Sequence, residues 1–198
     1  TITMITIINY NAGNMASVAN ALERLGFEYE ITNDANKILS ANKVIFPGQG
    51  RAKSAMDDLK AKGLDKIIKK IKQPFLGICL GMQLLLPYSQ EDDTKCFGII
   101  KGAVKRFPDD EKIPQIGWND LKQTRKNSLL DGIKNETYVY FVNSYYIQTD
   151  DSNILATYKY GKITAAGIIK KNNFYGTQFH PEKSGEAGIK ILENFLKL

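Results

Sequence analysis

Cys79 lies between two glycines, at a point where one apolar segment of the chain passes directly into another. The pentapeptide 77–81 follows a run typical of a buried strand, and residues 82–86 have the pattern of the helix after it. Small residues two positions before and after a nucleophile permit the sharp strand-to-helix turn that exposes its side chain. The start of a helix favours a reactive thiolate, and the Leu80 N–H would face a developing oxyanion. The pattern predicts a nucleophilic cysteine, with a buried, purely structural cysteine as the alternative.

A second candidate group follows the last predicted strand. His180 is the only histidine in the chain, and Glu182 stands two residues after it. A histidine can act as general base for a thiol while a nearby carboxylate orients its ring. A turn histidine beside a solvated glutamate is the alternative for this segment alone. Because an elbow cysteine needs a base, the two segments together favour a Cys79–His180–Glu182 triad.

The segment Pro47–Gly50 ends another predicted buried strand, at the sheet edge where α/β proteins collect ligands. Gly48 and Gly50 would let the backbone around Gln49 approach a substrate closely and present its N–H groups. The segment is too short for a phosphate loop and lacks its lysine. A simple strand-ending turn without a function is the alternative.

Composition restricts the class of protein. The 198 residues are 43% hydrophobic and 24% charged, which predicts one globular domain spanning 1–198. Two cysteines and one histidine are too few for a zinc site or a disulfide framework, so we expect no metal and a cytoplasmic location. The longest uncharged apolar run, residues 75–86, is too short to span a membrane.

The net charge of +6 is concentrated between Arg51 and Lys72, which hold eight basic residues and three aspartates. Nucleic-acid binding is one interpretation of such a segment. Apolar residues recur there at helical spacing and few aromatic residues accompany the charges, so the solvated face of a helix is favoured. We therefore expect no nucleic-acid partner.

Strand and helix alternate through residue 90, which predicts a mainly parallel sheet flanked by helices. The second half is different, because several of its strands are joined by turns too short for a crossover helix. An α/β fold with an antiparallel extension in the second half follows. Strands are predicted at 4–10, 27–32, 43–46, 74–79, 99–107, 113–124, 137–148, 154–160, 163–170 and 174–179, and a closing helix at 186–198.

These motifs, taken in order, resemble the class I glutamine amidotransferases. The resemblance is carried by P-G-Q-G at 47–50, G-I-C-L-G-M-Q at 77–83 and Q-F-H-P-E-K-S at 178–184, and it covers essentially the whole chain. The segments 11–14, 113–119 and 140–146 are similar to those of the glutaminase subunits of imidazole glycerol phosphate synthase. The resemblance implies a flavodoxin-like class I amidotransferase fold.

The resemblance also implies roles for the candidate residues. Cys79 would attack the side-chain amide of L-glutamine, while His180 would protonate the departing ammonia and then activate water. Glu182 would orient His180. The N–H groups of Gln49 and Leu80 would form the oxyanion hole.

Further positions match the family's substrate and partner contacts. Those that would bind glutamine are Gly48, Gly50, Gln83, Ser144 and Tyr145. Those that would face the partner subunit are Asn14, Trp118, Asn119 and Lys183. The implied partner is a (β/α)8-barrel cyclase, joined as a heterodimer, which uses channelled ammonia to make imidazole glycerol phosphate and AICAR without a cofactor.

Two positions depart from the pattern, since the family usually has histidine where this chain has Gln115 and Asn143. Both lie in segments expected near the glutamine site and the partner face, so they leave the partner open. A paralogous glutaminase that supplies ammonia to a surface-sugar amidotransferase is the main alternative. A catalytically silent binding subunit and a peptidase-like use of the elbow cysteine are two further alternatives.

Overall fold

The computed structural model describes residues 4–11 and 14–198. The strands are β1 (Ile5–Ile8), β2 (Tyr29–Thr32), β3 (Lys43–Gly48), β4 (Phe75–Cys79), β5 (Tyr88–Ser89), β6 (Thr94–Lys95), β7 (Ala103–Arg106), β8 (Gln115–Gln123), β9 (Thr137–Asn143), β10 (Tyr145–Gln148), β11 (Ile154–Tyr160), β12 (Ile163–Lys171) and β13 (Phe174–Thr177). The helices are α1 (Met15–Arg24), α2 (Ala35–Ser40), α3 (Ala52–Ala61), α4 (Leu64–Ile68), α5 (Leu80–Gln83) and α6 (Gly185–Leu196).

Nine strands form one sheet in the order β2-β1-β3-β4-β13-β12-β11-β8-β9. The first five are parallel to one another, and the four that continue the sheet from β13 are antiparallel to their neighbours. The sheet therefore has a parallel half and an antiparallel extension, which confirms the predicted fold class. The carboxyl ends of β3, β4 and β13 lie side by side, so the three candidate motifs meet at one edge.

The predicted strand at 137–148 is wrong as a single element. The chain turns at Ser144, so β9 ends the large sheet while β10 joins a separate sheet of order β10-β7-β5-β6. Phe107 N–H donates to the Ser144 carbonyl at 3.1 Å and ties this corner to the segment after β7. The corner directs the Ser144–Tyr145 backbone toward the sheet edge where the motifs meet.

Several helix boundaries also differ from the predictions. The helix after Cys79 begins at Leu80 and ends at Gln83, whereas residues 84–86 form a buried turn. Helix α2 was not predicted, although Asp34 caps it by accepting from the N–H groups of Asn36 and Lys37. The turn predicted at 11–14 lies partly outside the described residues, since 12 and 13 are not among them.

The side chains of successive residues in the central strands belong alternately to two apolar clusters, one on each face of the sheet. Ile45 belongs to the cluster beneath α1 and α6, whereas Val44 and Phe46 belong to the cluster beneath α3 and α4. The strands are buried on both faces, as parallel strands covered by helices are. This rigid core holds the ends of β3 and β4 in place. None of the described helices is long and apolar enough to cross a membrane.

Candidate active site

Cys79 has the strained backbone of a nucleophile elbow. Its φ is 54° and its ψ is −110°, a conformation that costs a non-glycine residue about 1–3 kcal/mol. A Cβ on Gly81 would lie 2.0 Å from the Phe46 carbonyl oxygen, and one on Gly77 would lie 2.6 Å from the Gly81 oxygen. Both glycines are therefore required by close backbone contact, which supports the prediction made from their spacing. The turn lifts the thiol to the end of the sheet.

The end of β3 packs against this elbow. Gly48 is buried and is the register partner of Cys79. The Tyr10 hydroxyl donates to the Pro47 carbonyl at 2.8 Å and holds the strand end in place. Gln49 and Gly50 then leave the sheet as exposed residues, and Gly50 has a φ of +96° that favours glycine. A fixed strand end followed by an exposed glycine-rich turn is suited to presenting backbone N–H groups.

His180 and Glu182 form a buried pair in the turn after β13. His180 Nδ1 lies 2.8 Å from Glu182 Oε1, and the two residues are 4% and 8% exposed. Burial lowers the pKa of His180, but hydrogen bonds to Cys79 and Glu182 raise it more, so the pKa rises from 6.5 to about 10. Because Nδ1 faces the carboxylate, Nε2 is the nitrogen left to exchange a proton with the thiol.

Ser184 holds the histidine backbone, a role that the motif alone did not reveal. Its hydroxyl donates to the His180 carbonyl at 2.6 Å and accepts from the Tyr140 N–H at 2.9 Å. The His180 N–H donates in turn to the Tyr140 carbonyl at 3.0 Å. The turn that carries His180 is thus fastened to the middle of β9.

A cleft of about 280 Å³ opens at this edge of the sheet. It is lined by Gln49, Gly50, Cys79, Leu80, Gln83, Glu91, Pro114, Val142, Asn143, Ser144, Tyr145, His180 and Lys183. The structure therefore brings most of the predicted catalytic and substrate-binding residues to one place. Gly48 and Glu182 lie behind the lining, where one supports the elbow and the other supports His180.

Glu91 is a lining residue that sequence reasoning missed. Its carboxylate is half-buried and accepts from the Ala52 N–H at the start of α3 at 2.8 Å. Burial raises the pKa of Glu91, while the bond from Ala52 opposes the rise. In the sequence it stands in the acidic run 91–93, which has the appearance of a solvated turn. Only the fold shows that one carboxylate of this run faces the cleft.

The residues predicted to face a partner do not all share one surface. Trp118 is 55% exposed, packs edge-on against Tyr140 with ring centroids 6.0 Å apart, and lies near Gly185 at the start of α6. Lys183 is exposed at the mouth of the cleft. Asn119, however, follows Trp118 on β8 and so points to the other face, where its amide donates to the Lys159 carbonyl at 2.8 Å.

Asn14 precedes α1 and is partly buried, and its amide donates to the Ser17 hydroxyl at 2.9 Å. Asn14 stands at the start of α1, and that helix contacts the 181–183 turn. Within the described residues no cluster of three or more His, Cys, Asp or Glu could hold a metal ion.

Comparison with known proteins agrees with this geometry. A family model described as "Glutamine amidotransferase class-I" matches residues 6–198. A Dehalococcoides mccartyi protein named "Imidazole glycerol phosphate synthase subunit HisH" is 48% identical, covering 98% of this chain and 97% of that protein. A Bacteroides fragilis protein of the same name is 47% identical, covering 98% and 99%.

A solved structure, "Structure of PurLQS from Thermotoga maritima", shares the fold with a TM-score of 0.72 at 19% identity, covering 100% of this chain and 99% of that one. The family match spans nearly the whole sequence, and the relatives align with it from end to end. The chain belongs to the class I glutamine amidotransferase family.

Proposed function

We propose that this chain is a glutaminase subunit that hydrolyses L-glutamine and delivers the ammonia to a (β/α)8-barrel cyclase of histidine biosynthesis. The observation that carries the proposal is Cys79 on a strained elbow, in one cleft with the buried His180–Glu182 pair. The relatives named as imidazole glycerol phosphate synthase subunits support the choice of pathway. One glutaminase unit spanning 1–198 performs the reaction in the cytoplasm, where thiols stay reduced.

The first half-reaction forms a thioester. The Cys79 thiol gives its proton to His180, and the sulfur attacks the side-chain amide carbon of glutamine. The N–H groups of Leu80 and Gln49 stabilise the tetrahedral oxyanion. His180 then protonates the amide nitrogen, the C–N bond breaks and ammonia leaves.

The second half-reaction regenerates the enzyme. Water takes the position left by ammonia, His180 removes one of its protons, and the resulting hydroxide attacks the thioester carbon. The C–S bond then breaks, glutamate leaves and the thiol is restored. Glu182 holds the imidazole in one orientation and stabilises its protonated form in both halves.

Two neighbouring parts of the cleft suit the two charged groups on the α-carbon of an amino acid. The Glu91 carboxylate, fixed by the Ala52 N–H, is placed to bind the ammonium group. The backbone at Ser144 and Tyr145 borders the same cleft, which supports a role for it in binding the α-carboxylate. With both groups on the α-carbon held there, the side-chain amide of the substrate would extend toward Cys79.

An exposed apolar surface beside the cleft suits a partner subunit. Ile116, Trp118 and Tyr138 on β8 and β9 are 63%, 55% and 61% exposed, which is unusual for large apolar side chains. The pairs Ile116–Val142 and Trp118–Tyr140 continue this surface to the rim of the cleft. A partner seated there would cover the exit from Cys79 and keep ammonia away from bulk water.

The experiment is to co-express the chain with the cyclase of the same organism and to compare glutamine-dependent with ammonia-dependent synthesis. We expect His180→Ala to abolish the glutamine-dependent rate and to leave the ammonia-dependent rate intact, because only ammonia generation is lost. Lys70→Ala, an exposed change before β4 at the opposite end of that strand, is the control and should alter neither rate. A His180→Ala complex that still uses glutamine would contradict the proposal.

A further inference from the structure

We infer that Gln178 is a further catalytic residue, which donates a side-chain N–H to the Cys79 sulfur in an orientation set by the Tyr145 carbonyl through Gln83. Gln178 Nε2 lies 3.7 Å from Cys79 Sγ, and the Gln178 side chain is fully buried. The inference rests on the proposed role of Cys79 as the nucleophile. It adds a residue that was identified in the sequence only as part of a motif.

The orientation of the Gln178 amide follows from a group that cannot be reversed. A backbone carbonyl only accepts hydrogen bonds, so Gln83 must turn its NH2 toward the Tyr145 oxygen, 3.1 Å away. The second N–H of the same NH2 meets Gln178 Oε1 at 3.1 Å. With its oxygen facing Gln83, Gln178 can present only its own NH2 to the sulfur.

The Tyr145 carbonyl is itself held from a second side. Asn143 Nδ2 donates to it at 2.9 Å and also donates to the Tyr158 hydroxyl at 3.0 Å. Both lone pairs of the carbonyl are therefore engaged. Asn143 and Gln83 thus meet at one carbonyl, and a buried row of amides leads from the β9–β10 corner to the nucleophile. The bond from Gln83 to Gln178 Oε1 polarises the Gln178 N–H toward the sulfur. We call this row, Asn143, Gln83 and Gln178, the amide chain.

The hydrogen bond from Gln178 to the Cys79 sulfur matters most when the sulfur is a negatively charged thiolate. A hydrogen bond to a charged group is about twice as strong as one between neutral groups, so the Gln178 N–H favours the thiolate over the thiol. The Val142 carbonyl, 3.7 Å from the sulfur, can accept a hydrogen bond from the thiol, but it has no hydrogen to donate to the thiolate. Gln178 thus aids attack on the amide and departure of the sulfur from the thioester.

The test compares the reactivity of the Cys79 thiol in matched variants of the full chain. Gln178→Met keeps the size of the side chain and removes the N–H. Thr177→Val is the control, because Thr177 is the neighbouring buried residue and its hydroxyl has no hydrogen-bond partner among the described residues. The probe is iodoacetamide, which does not need the glutamine site, and mass spectrometry maps the alkylated residue.

We expect Gln178→Met to alkylate at Cys79 about 10- to 100-fold more slowly than wild type, the loss typical of a hydrogen bond to a charged group. In the complex, kcat should fall by a similar factor while the KM for glutamine changes less than twofold. Thr177→Val should match wild type in both. A misfolded fraction would expose both cysteines and would appear as a separate phase that also labels Cys96, which distinguishes misfolding from slow labelling of Cys79 alone.

Wild-type rates in Gln178→Met, with the label on Cys79, would overturn the inference and leave the proposed function standing. A wild-type label found only on Cys96, with Cys79→Ala fully active, would remove the proposed function itself. A Gln178→Met variant that raises KM and leaves kcat unchanged would also overturn the inference, because Gln178 would then serve substrate binding.

Discussion

Gln115 and Asn143 lie directly opposite each other across β8 and β9, and both side chains are buried. The next residues along the strands, Ile116 and Val142, pair on the outer face beside Trp118. The two residues that depart from the family pattern therefore form one buried pair. They lie on the inner side of the hairpin, so they do not form the exposed surface that would meet a partner.

The two amide side chains of this pair should contribute very differently to stability. Both amide oxygens are buried without a partner in the described part of the chain, but the Asn143 Nδ2 group donates two hydrogen bonds, whereas no side-chain hydrogen bond of Gln115 is found there. We expect Asn143→Leu to lower the free energy of unfolding by about 2–4 kcal/mol and Gln115→Met to change it by less than about 1 kcal/mol. Urea denaturation measures both. Equal losses in the two variants would contradict the predicted difference between the two amides.

The motifs that carry the candidate catalytic residues were predictable from the sequence because each is local. Glycine spacing around Cys79 and the unique His180 with Glu182 gave the three residues and the strands that carry them. Neither the place of Glu91 in the cleft nor that of Gln178 beside the Cys79 sulfur was predictable, since what places them is packing against α3 and Gln83, far away in the chain. The break at Ser144 was also hidden, because both halves of 137–148 have strand-forming composition and only tertiary pairing separates them.

The protonation state of His180 can be followed by NMR without a mutant to assign its signal, because it is the only histidine in the sequence. The pKa of His180 is raised, so its protonated form contributes stability that is complete below pH 6.5 and is lost as pH rises toward about 10. We expect the imidazole signal in NMR spectra to remain that of the charged ring at pH 8. Cys79→Ser and Glu182→Gln should each move the midpoint to lower pH. A wild-type midpoint at or below 6.5 would contradict this pairing.

The elbow should tolerate no side chain at Gly81. An added Cβ would meet the Phe46 carbonyl at 2.0 Å, and a backbone atom at the centre of the sheet cannot move aside. We expect Gly81→Ala to destabilise the protein by about 3 kcal/mol or more and to abolish glutamine hydrolysis. Gly26→Ala is the control: its φ is +75° but nothing lies within 4 Å, so backbone strain of about 1 kcal/mol is the whole cost. Thermal unfolding compares the two.

Lys183 is expected to matter to the complex and not to the fold. Its side chain is exposed at the mouth of the cleft and can pair with an acidic residue of the barrel. We expect Lys183→Ala to weaken binding of the cyclase by about 10-fold or more, since truncation leaves the partner charge unpaired. The melting temperature of the isolated subunit should not change. Binding only to a sugar-pathway barrel would keep the glutaminase chemistry and change the pathway.

The central claim is that Cys79 is the nucleophile of a glutaminase. A glutamine-analogue diazo-ketone, added to the complex with its acceptor substrate present, tests this claim most directly when the labelled residue is mapped by mass spectrometry. We predict one label per chain, on Cys79, with glutamine hydrolysis lost in proportion to labelling and neither event in Cys79→Ala. Cys96 is buried and its pKa is raised to about 12 by that burial, so it should stay unlabelled. A label on Cys96, or a Cys79→Ala protein that still hydrolyses glutamine, would contradict the account.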